Sequence, residues 1–297
     1  MTFSTYDGNT IKVYSSTSSP PDITEGEQAA LQWDALKRKH TRQDQIHETL
    51  SEYYRLTKDH PFLDMSSGAK ARRNDADLMR HYLETEQAPS PYQVFPPDLI
   101  QQTYAIPHVS DLGINELRND PTYRFAYILG AAFGEMRHQH PFTDPTTQYW
   151  QQELIGKAVP SGGSRHPSEL FIQVHQSPSF PRGFYHFNVK ANTLDKFCTD
   201  QVEQEQMGTS SASPHLWRAT LHICSAVQRA MYRYRDPRSF RAILIDIGHI
   251  DAQLATFAAY CNWQYSSSIN VKLNFGTTLG VAEQSLPRLL TAELQGG

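Results

Sequence analysis

Apolar positions in the first part of the chain recur at helical spacing. From Gly26 to about Lys58, the residues Leu31, Trp33, Leu36, Ile46, Leu50, Tyr53 and Tyr54 are separated by Lys, Arg, Glu and Gln, which predicts a pair of amphipathic helices. The preceding 24 residues are polar and rich in Ser and Thr, and are expected to form a short strand or a frayed lead-in. Tyr123 to Gly134 reads as an apolar helix that stops at its glycine, and a polar loop is expected from Glu135 to about Thr147. The period then changes. Glu169 to His175 predicts a strand, and Gly183 to Asn188 with Thr193 to Phe197 predicts a hairpin around the polar turn Val189 to Asn192. Helical spacing returns from His215 to Met231, through Leu216, Leu221, Ile223, Cys224 and Val227, and again from Ala242 to Cys261, a helix apolar enough to be largely buried. Leu289 to Leu294 is the last expected strand.

Gln87 to Pro97, QAPSPYQVFPP, carries four prolines in eleven residues, which excludes regular helix and marks an extended connector. The expected organisation is therefore a helical extension with its Pro-rich connector over residues 1–97 and a second domain over 98–297. No internal repeat is visible.

Of the 297 residues, 39% are apolar, and 27 Lys plus Arg against 31 Asp plus Glu leave a net charge of −4. That balance gives no field for gripping a phosphate backbone, so no nucleic-acid partner is expected. The total conceals an asymmetry: Arg229 to Arg241 holds five arginines and one acid, enough for a local anion site. The longest unbroken apolar run, Phe125 to Gly134, is about half of what a bilayer core requires, so no membrane span is expected. The start of the chain lacks a basic region followed by an apolar run, and Cys198, Cys224 and Cys261 are few, odd in number and widely spaced. A cytoplasmic location is expected.

The thirteen histidines form no HExxH helix and the cysteines no CxxC pair, so no metal is expected, and His138 and His140 read as solvated loop residues. A GxSxG elbow, a phosphate-binding GxxxxGK[ST] loop and a GxGxxG turn are absent as well. Two constellations remain. In VPSGGSRHPSELFIQV, from Val159 to Val174, Gly162 and Gly163 follow Ser161 and allow the main chain to approach a flat ligand, with Arg165 and His166 adding charge beside the turn. The same residues would also suit an ordinary Gly-rich turn before a strand. In MYRYRDPRSFRAILIDIGH, from Met231 to His249, Arg233, Arg235, Arg238 and Arg241 alternate with Tyr232, Tyr234 and Phe240. They could grip a phosphate through forked hydrogen bonds, or could form a solvated helix end with Asp246 paired to a neighbouring Arg. His249, one turn beyond Asp246, suits a structural hydrogen bond. Cys224 and Cys261 read as buried, inert thiols on helical faces.

The order of these motifs resembles the nitroreductase-like FMN flavoprotein superfamily, and within it the SagB-type, azoline oxidase-like dehydrogenases. The resemblance rests on Pro160, Ser161, Gly162 and Gly163 with His166 and Pro167, then GFYHF from Gly183 to Phe187, Arg233 with Tyr234, Phe240 with Arg241, and Gly248 with His249. It covers roughly residues 120 to 265, with YYRLTKDHPF from Tyr53 to Phe62 resembling a segment upstream of the family's domain. It implies an α+β fold with a mostly antiparallel sheet flanked by helices, an intertwined homodimer, and FMN at the subunit interface. By the same resemblance, Ser161, Gly162, Gly163, Arg165 and Arg241 would hold the cofactor. Arg233 and Tyr234 would occupy the positions of a Lys-Tyr pair associated with proton transfer. The substrate would be a peptide or small molecule carrying an azoline-like heterocycle or a carbon next to nitrogen, and other subunits of a modification complex are expected partners. Two departures shape the chemistry. A guanidinium does not readily give up its proton, so Arg233 is no simple base, and the double-Arg-Ser motif of many relatives is absent, with Arg118 and Arg124 the nearby arginines. Two other functions stay open at this point: an NAD(P)H-dependent flavin reductase of small electrophiles, and a flavin-free scaffold subunit.

Overall fold

A computed structural model describes residues 3–6, 11–14, 50–54, 68–143, 150–198, 216–234, 239–269 and 285–297. The chain divides into two compact units, Met1–Phe62 and Leu63–Gly297. In the first, β1 (Phe3–Tyr6) pairs antiparallel with β2 (Ile11–Tyr14), and residues 50–54 are helical. The rest of the expected helical pair lies outside the described residues.

The second unit is built on an antiparallel sheet. Its strands are β3 (Ile100–Ala105), β8 (Ser168–Gln176), β9 (Gly183–Asn188), β10 (Thr193–Phe197), β11 (Trp217–Ser225), β12 (Gln264–Ser268) and β13 (Arg288–Gly296). Among the described residues they form a seven-stranded sheet in the order β12-β13-β11-β8-β9-β10-β3, every neighbour antiparallel. Short ribbons lie apart from it: β4 (Glu135–Gln139) pairs with β7 (Leu154–Lys157), and β5 (Phe142–Thr143) with β6 (Trp150–Gln151).

Alternation along the central strands sends side chains into two cores. Leu170, Ile172 and Val174 of β8 join Ala219, Leu221 and Ile223 of β11 in the larger one, while Phe171 and Cys224 enter a smaller one with Phe95, Phe184, Phe197 and Leu286. Two helices cover the larger face. Helix α3 (Pro121–Phe133) starts where Asp120 accepts a hydrogen bond from the Thr122 amide at 2.7 Å, with Pro121 in its first turn, both standard starting signals. It packs on α5 (Ser239–Tyr260), whose Ile243, Ile247, Ile250, Leu254 and Ala258 are buried. Helix α5 ends with Asn262 at φ +57°, the Trp263 amide donating to Ala258 and the Asn262 amide to Ala259, the pattern of a Schellman stop. The remaining helices are α1 (Gly68–Thr85), α2 (Ile114–Asn119) and α4 (Val227–Tyr234).

The helices at 123–134 and 242–261, the strand at 169–175, the hairpin and the last strand all form where the pattern predicts them. The helix expected from His215 to Met231 does not. Residues 217–225 are strand β11, and only Val227–Tyr234 is helical. Trp217, Ala219, Leu221 and Ile223 alternate onto the larger core, and His222 and Cys224 are buried on the other face. A central strand buried on both sides loses its polar alternation and reads as helix. Cys224 therefore sits on a strand. Residues expected in a polar loop after Glu135 instead form β4 and β5; no residue of β4 is buried, and such a strand needs no apolar alternation. Strand β3, mostly exposed at the sheet edge, had no sequence signal for the same reason.

Helix α5 is long and apolar enough to span a bilayer by length and composition, with mean hydropathy 1.3, although Arg241, Asp246, His249 and Asp251 interrupt its apolar runs. Here one face of it packs against α3 and the sheet, as a core helix does.

Candidate functional site

The Gly-rich segment folds into a single 3₁₀ turn, Gly162–Ser164, between β7 and β8. Its backbone is unusual: Gly163 has φ +61°, Ser164 φ +54° and His166 φ +41°. Left-handed conformations at two non-glycine residues, Ser164 and His166, on either side of the right-handed Arg165, are held only where neighbours over-determine them. The restraint comes from α5. Asp246, buried on that helix, accepts the Ser161 hydroxyl at 2.7 Å and the Gly162 amide at 3.4 Å, while Ser161 Oγ also accepts the His166 amide at 3.0 Å. Burial raises the Asp246 carboxyl above its ordinary value, opposed by those two hydrogen bonds. Asp246 thus serves the turn, and His249, one turn along the helix, is exposed.

The expected site residues converge on this turn. A Cβ on Gly163 would overlap the Tyr234 hydroxyl and lie 3.8 Å from Arg165 Nε; one on Gly162 would lie 3.6 Å from Ala242, the neighbour of Arg241. The Arg233 guanidinium lies 5.4 Å from the Tyr234 ring centroid. Ser161, Gly162, Gly163, Arg165, Arg233, Tyr234 and Arg241 therefore gather where the turn, the end of α4 and the start of α5 meet. Arg235, Asp236 and Arg238 lie outside the described residues. Gly162, Gly163 and Arg241 are exposed and Arg165 half-buried. Most of the turn's amides are spent internally: Ser164 donates to Ser161, Arg165 to Gly162, and Gly162 and His166 to the side chains named above. Among the described residues, Gly163 N–H is the turn's amide left for a ligand.

A buried ionic network lies beside the turn, among residues to which the motifs assigned no role. Arg229, buried on α4, donates to the backbone of Ser90 at 2.9 Å and of His166 at 3.2 Å and pairs with Glu169. Glu169 in turn meets His186 at 3.1 Å. Burial alone would raise Glu169, but Arg229, His186 and Lys157 outweigh it and hold the carboxyl at about 2. The network ties the Pro-rich segment, the turn, β8 and the GFYHF strand together. Charged residues inside the apolar runs ELFIQV and GFYHF were the available signal, since a buried charge requires a partner. Lys157 donates to Ser168 at 3.3 Å and is pushed by burial down to about 8. Burial and the positive charges of Lys157, Arg229 and Arg137 lower His166 to about 3.

Lys157, Ser161, His166 and Asp246 line a cavity of about 10 Å³, room for a water-sized occupant. A flat cofactor has no seat there, so it would have to lie on the open side of the turn. That side suits such a group: it presents the exposed Gly162 and Gly163, the Gly163 N–H and the neighbouring Tyr234 ring. Elsewhere, His138 is no free loop residue. It contacts Glu135 at 3.0 Å, Glu153 at 3.3 Å and the Tyr92 hydroxyl at 3.0 Å. No group of three residues suited to hold a metal occurs among the described residues.

No family model matches the chain. In superposition, 74% of it covers 46% of a crystal structure assigned as a nitroreductase, from Anabaena variabilis, with a TM-score of 0.51 at 14% identity. The fold is nitroreductase-like. The resemblance carried by the ordered motifs is thereby borne out, as is the α+β class. A looser superposition, TM-score 0.40 at 16% identity, relates 73% of the chain to 81% of a chain of the E. coli microcin synthetase McbBCD complex. In sequence, the nitroreductase-like chain is 27% identical over 236 residues to the trifolitoxin-processing protein TfxB of Rhizobium leguminosarum bv. trifolii. The match takes in 74% of this chain and spans 62% of that relative's length.

Proposed function

We propose that the chain is a SagB-type, FMN-dependent oxidoreductase acting in the tailoring of a peptide or other natural product, where it oxidises an azoline-like heterocycle or a carbon next to nitrogen. One observation carries this reading: seven residues drawn from separate motifs meet at one restrained turn, with Gly162 and Gly163 exposed. The likeness to a trifolitoxin-processing protein supports the setting. FMN, when bound, would accept a hydride from the substrate carbon.

The chain's own residues divide the remaining work. Gly163 N–H would donate to a polar atom of the flavin, and the Asp246 clamp keeps the turn from collapsing when it does. Arg165 and Arg241 would meet the phosphate through their guanidinium groups. Tyr234, 41% exposed, would accept at Oη the proton from the atom adjoining the hydride-donating carbon, its own hydroxyl proton passing to solvent. Arg233 keeps its proton and would orient the substrate beside that ring.

Beside the turn, the adjoining face of α5 leaves Leu244 and Ile245 exposed at 49% and 59%. A second copy docked on that face would bury them and close the site, so the working form is a homodimer, located in the cytoplasm and associated with other subunits of a modification complex. The boundary proposed for the catalytic domain is residue 98.

The test is the absorbance spectrum of gently purified protein after reconstitution with FMN. Retained flavin, with Tyr234→Phe keeping the flavin band but losing oxidation of a heterocycle-bearing peptide, supports the assignment. Bleaching by NADPH with no peptide present would move it to a flavin reductase of small electrophiles. Failure to retain FMN under any condition would leave a scaffold subunit.

A further inference from the structure

About fourteen residues beyond Asp246, roughly 21 Å along α5 at 1.5 Å per residue, the helix end forms part of an open cleft of about 350 Å³ with α2 and the start of α3. This is the volume of a small-molecule site, far from the Gly-rich turn. Its walls combine two chemistries. Arg118, Arg124 and Asn262 give it polar hydrogen-bond donors, while Ile114, Leu117 and Tyr260 give it an apolar side. Ile114 and Tyr260 are exposed at 49% and 60%, unusual for large apolar residues in a concave surface.

The charged side chains lining this cleft are both arginines, Arg118 and Arg124. Arg124 is fixed by three oxygens, donating to the carbonyls of Leu117 at 2.8 Å and Arg118 at 3.1 Å and to Gly297, the last residue of the sequence. It is therefore rigid. The nearest acids in sequence are Glu116 and Asp120: Asp120 accepts the Thr122 amide at 2.7 Å, and neither carboxylate lines the cleft. The field reaches the buried Cys261 thiol: desolvation pushes it up to about 11, with Arg124 pulling the other way.

We propose that this cleft binds a small amphiphile, an oxyanion (carboxylate or phosphate) on an apolar body, with the head on Arg118 and Arg124 and the body against Ile114, Leu117 and Tyr260. The site is separate from the flavin turn and does not depend on that reading.

Calorimetric titration of the full chain with octanoate, octyl phosphate, inorganic phosphate and 1-octanol tests it. One saturable octanoate or octyl phosphate site per chain is expected, the tighter of the two identifying the head group, with octanol and inorganic phosphate each about tenfold weaker or more. Arg118→Glu, on an exposed side chain, should weaken the amphiphile about tenfold with an unchanged melting temperature, and Ile114→Asp should do the same from the apolar end. Octanol binding as tightly as octanoate, or affinity unaltered in Arg118→Glu, would overturn the proposal. So would competition by FMN, which would make the cleft a flavin site.

Discussion

Ser161 donates its hydroxyl to Asp246 at 2.7 Å across 85 residues of chain, and this bond joins the Gly-rich turn to the core helix α5. Replacing Asp246 by Ala leaves the Ser161 hydroxyl and the Gly162 amide without their acceptor, at a cost of about 1–3 kcal/mol. Asp246→Ala is expected to lower the unfolding free energy by that amount, read from urea denaturation, and to retain less FMN on gel filtration, with Asp246→Asn intermediate in both. A variant that loses stability but keeps flavin as well as the parent does would separate the clamp from the cofactor.

Gly163→Ala is expected to destabilise by about 1–2 kcal/mol from its left-handed backbone alone, and further from overlap with the Tyr234 hydroxyl. Tyr234→Phe removes the overlapping oxygen and leaves the backbone strain. A double-mutant cycle should therefore show the pair less damaging than the sum of its singles. Strict additivity would mean that the hydroxyl does not occupy that place in solution.

Arg229→Met strands the Glu169 carboxylate in the interior, and a loss of about 3–5 kcal/mol is expected. Replacing both, Arg229→Met with Glu169→Leu, should recover a large part of it. Denaturation midpoints of the three proteins measure this directly. Equal losses in the single and double variants would show that the arginine matters for its bonds to Ser90 and His166 and not for its charge.

Stability is expected to fall with pH below about 6.5. Burial first, and then neighbouring cations, lower His166 to about 3, His175 to about 4 and His222 to about 3, from an ordinary 6.5. Between those values the unfolded chain binds protons that the folded chain refuses, so acid favours unfolding. Glu169, held at about 2 against an ordinary 4.5, adds its own loss below pH 4.5. Melting temperature against pH from 7.5 to 5 checks the histidine part, and His175→Gln should flatten the slope.

The hairpin Gly183–Asn188 and Thr193–Phe197 was legible because β-rich runs flank a polar turn, and α3 because an apolar helix stops at Gly134. Strand β11 was not: its Cys224 and His222 are buried as fully as its Ile223, and the period of two vanishes when both faces of a strand are covered. Among the site residues, Gly162, Gly163 and Tyr234 were legible from motif order. Asp246 was seen, but its bond to Ser161 was not, since nothing in its own segment points to a serine 85 residues away.

Taken alone, the sequence determined the helices, strands and turn that local spacing and backbone preference dictate, together with the arginine excess between Arg229 and Arg241. Tertiary structure decided which of those pieces meet. It set Asp246 under the Gly-rich turn, Tyr234 over Gly163, and Arg229 against Glu169 and His186. Each of these contacts joins residues remote in sequence, and burial rather than local propensity fixes the partner: a polar group removed from water takes whichever complement the packed sheet and helices bring within reach.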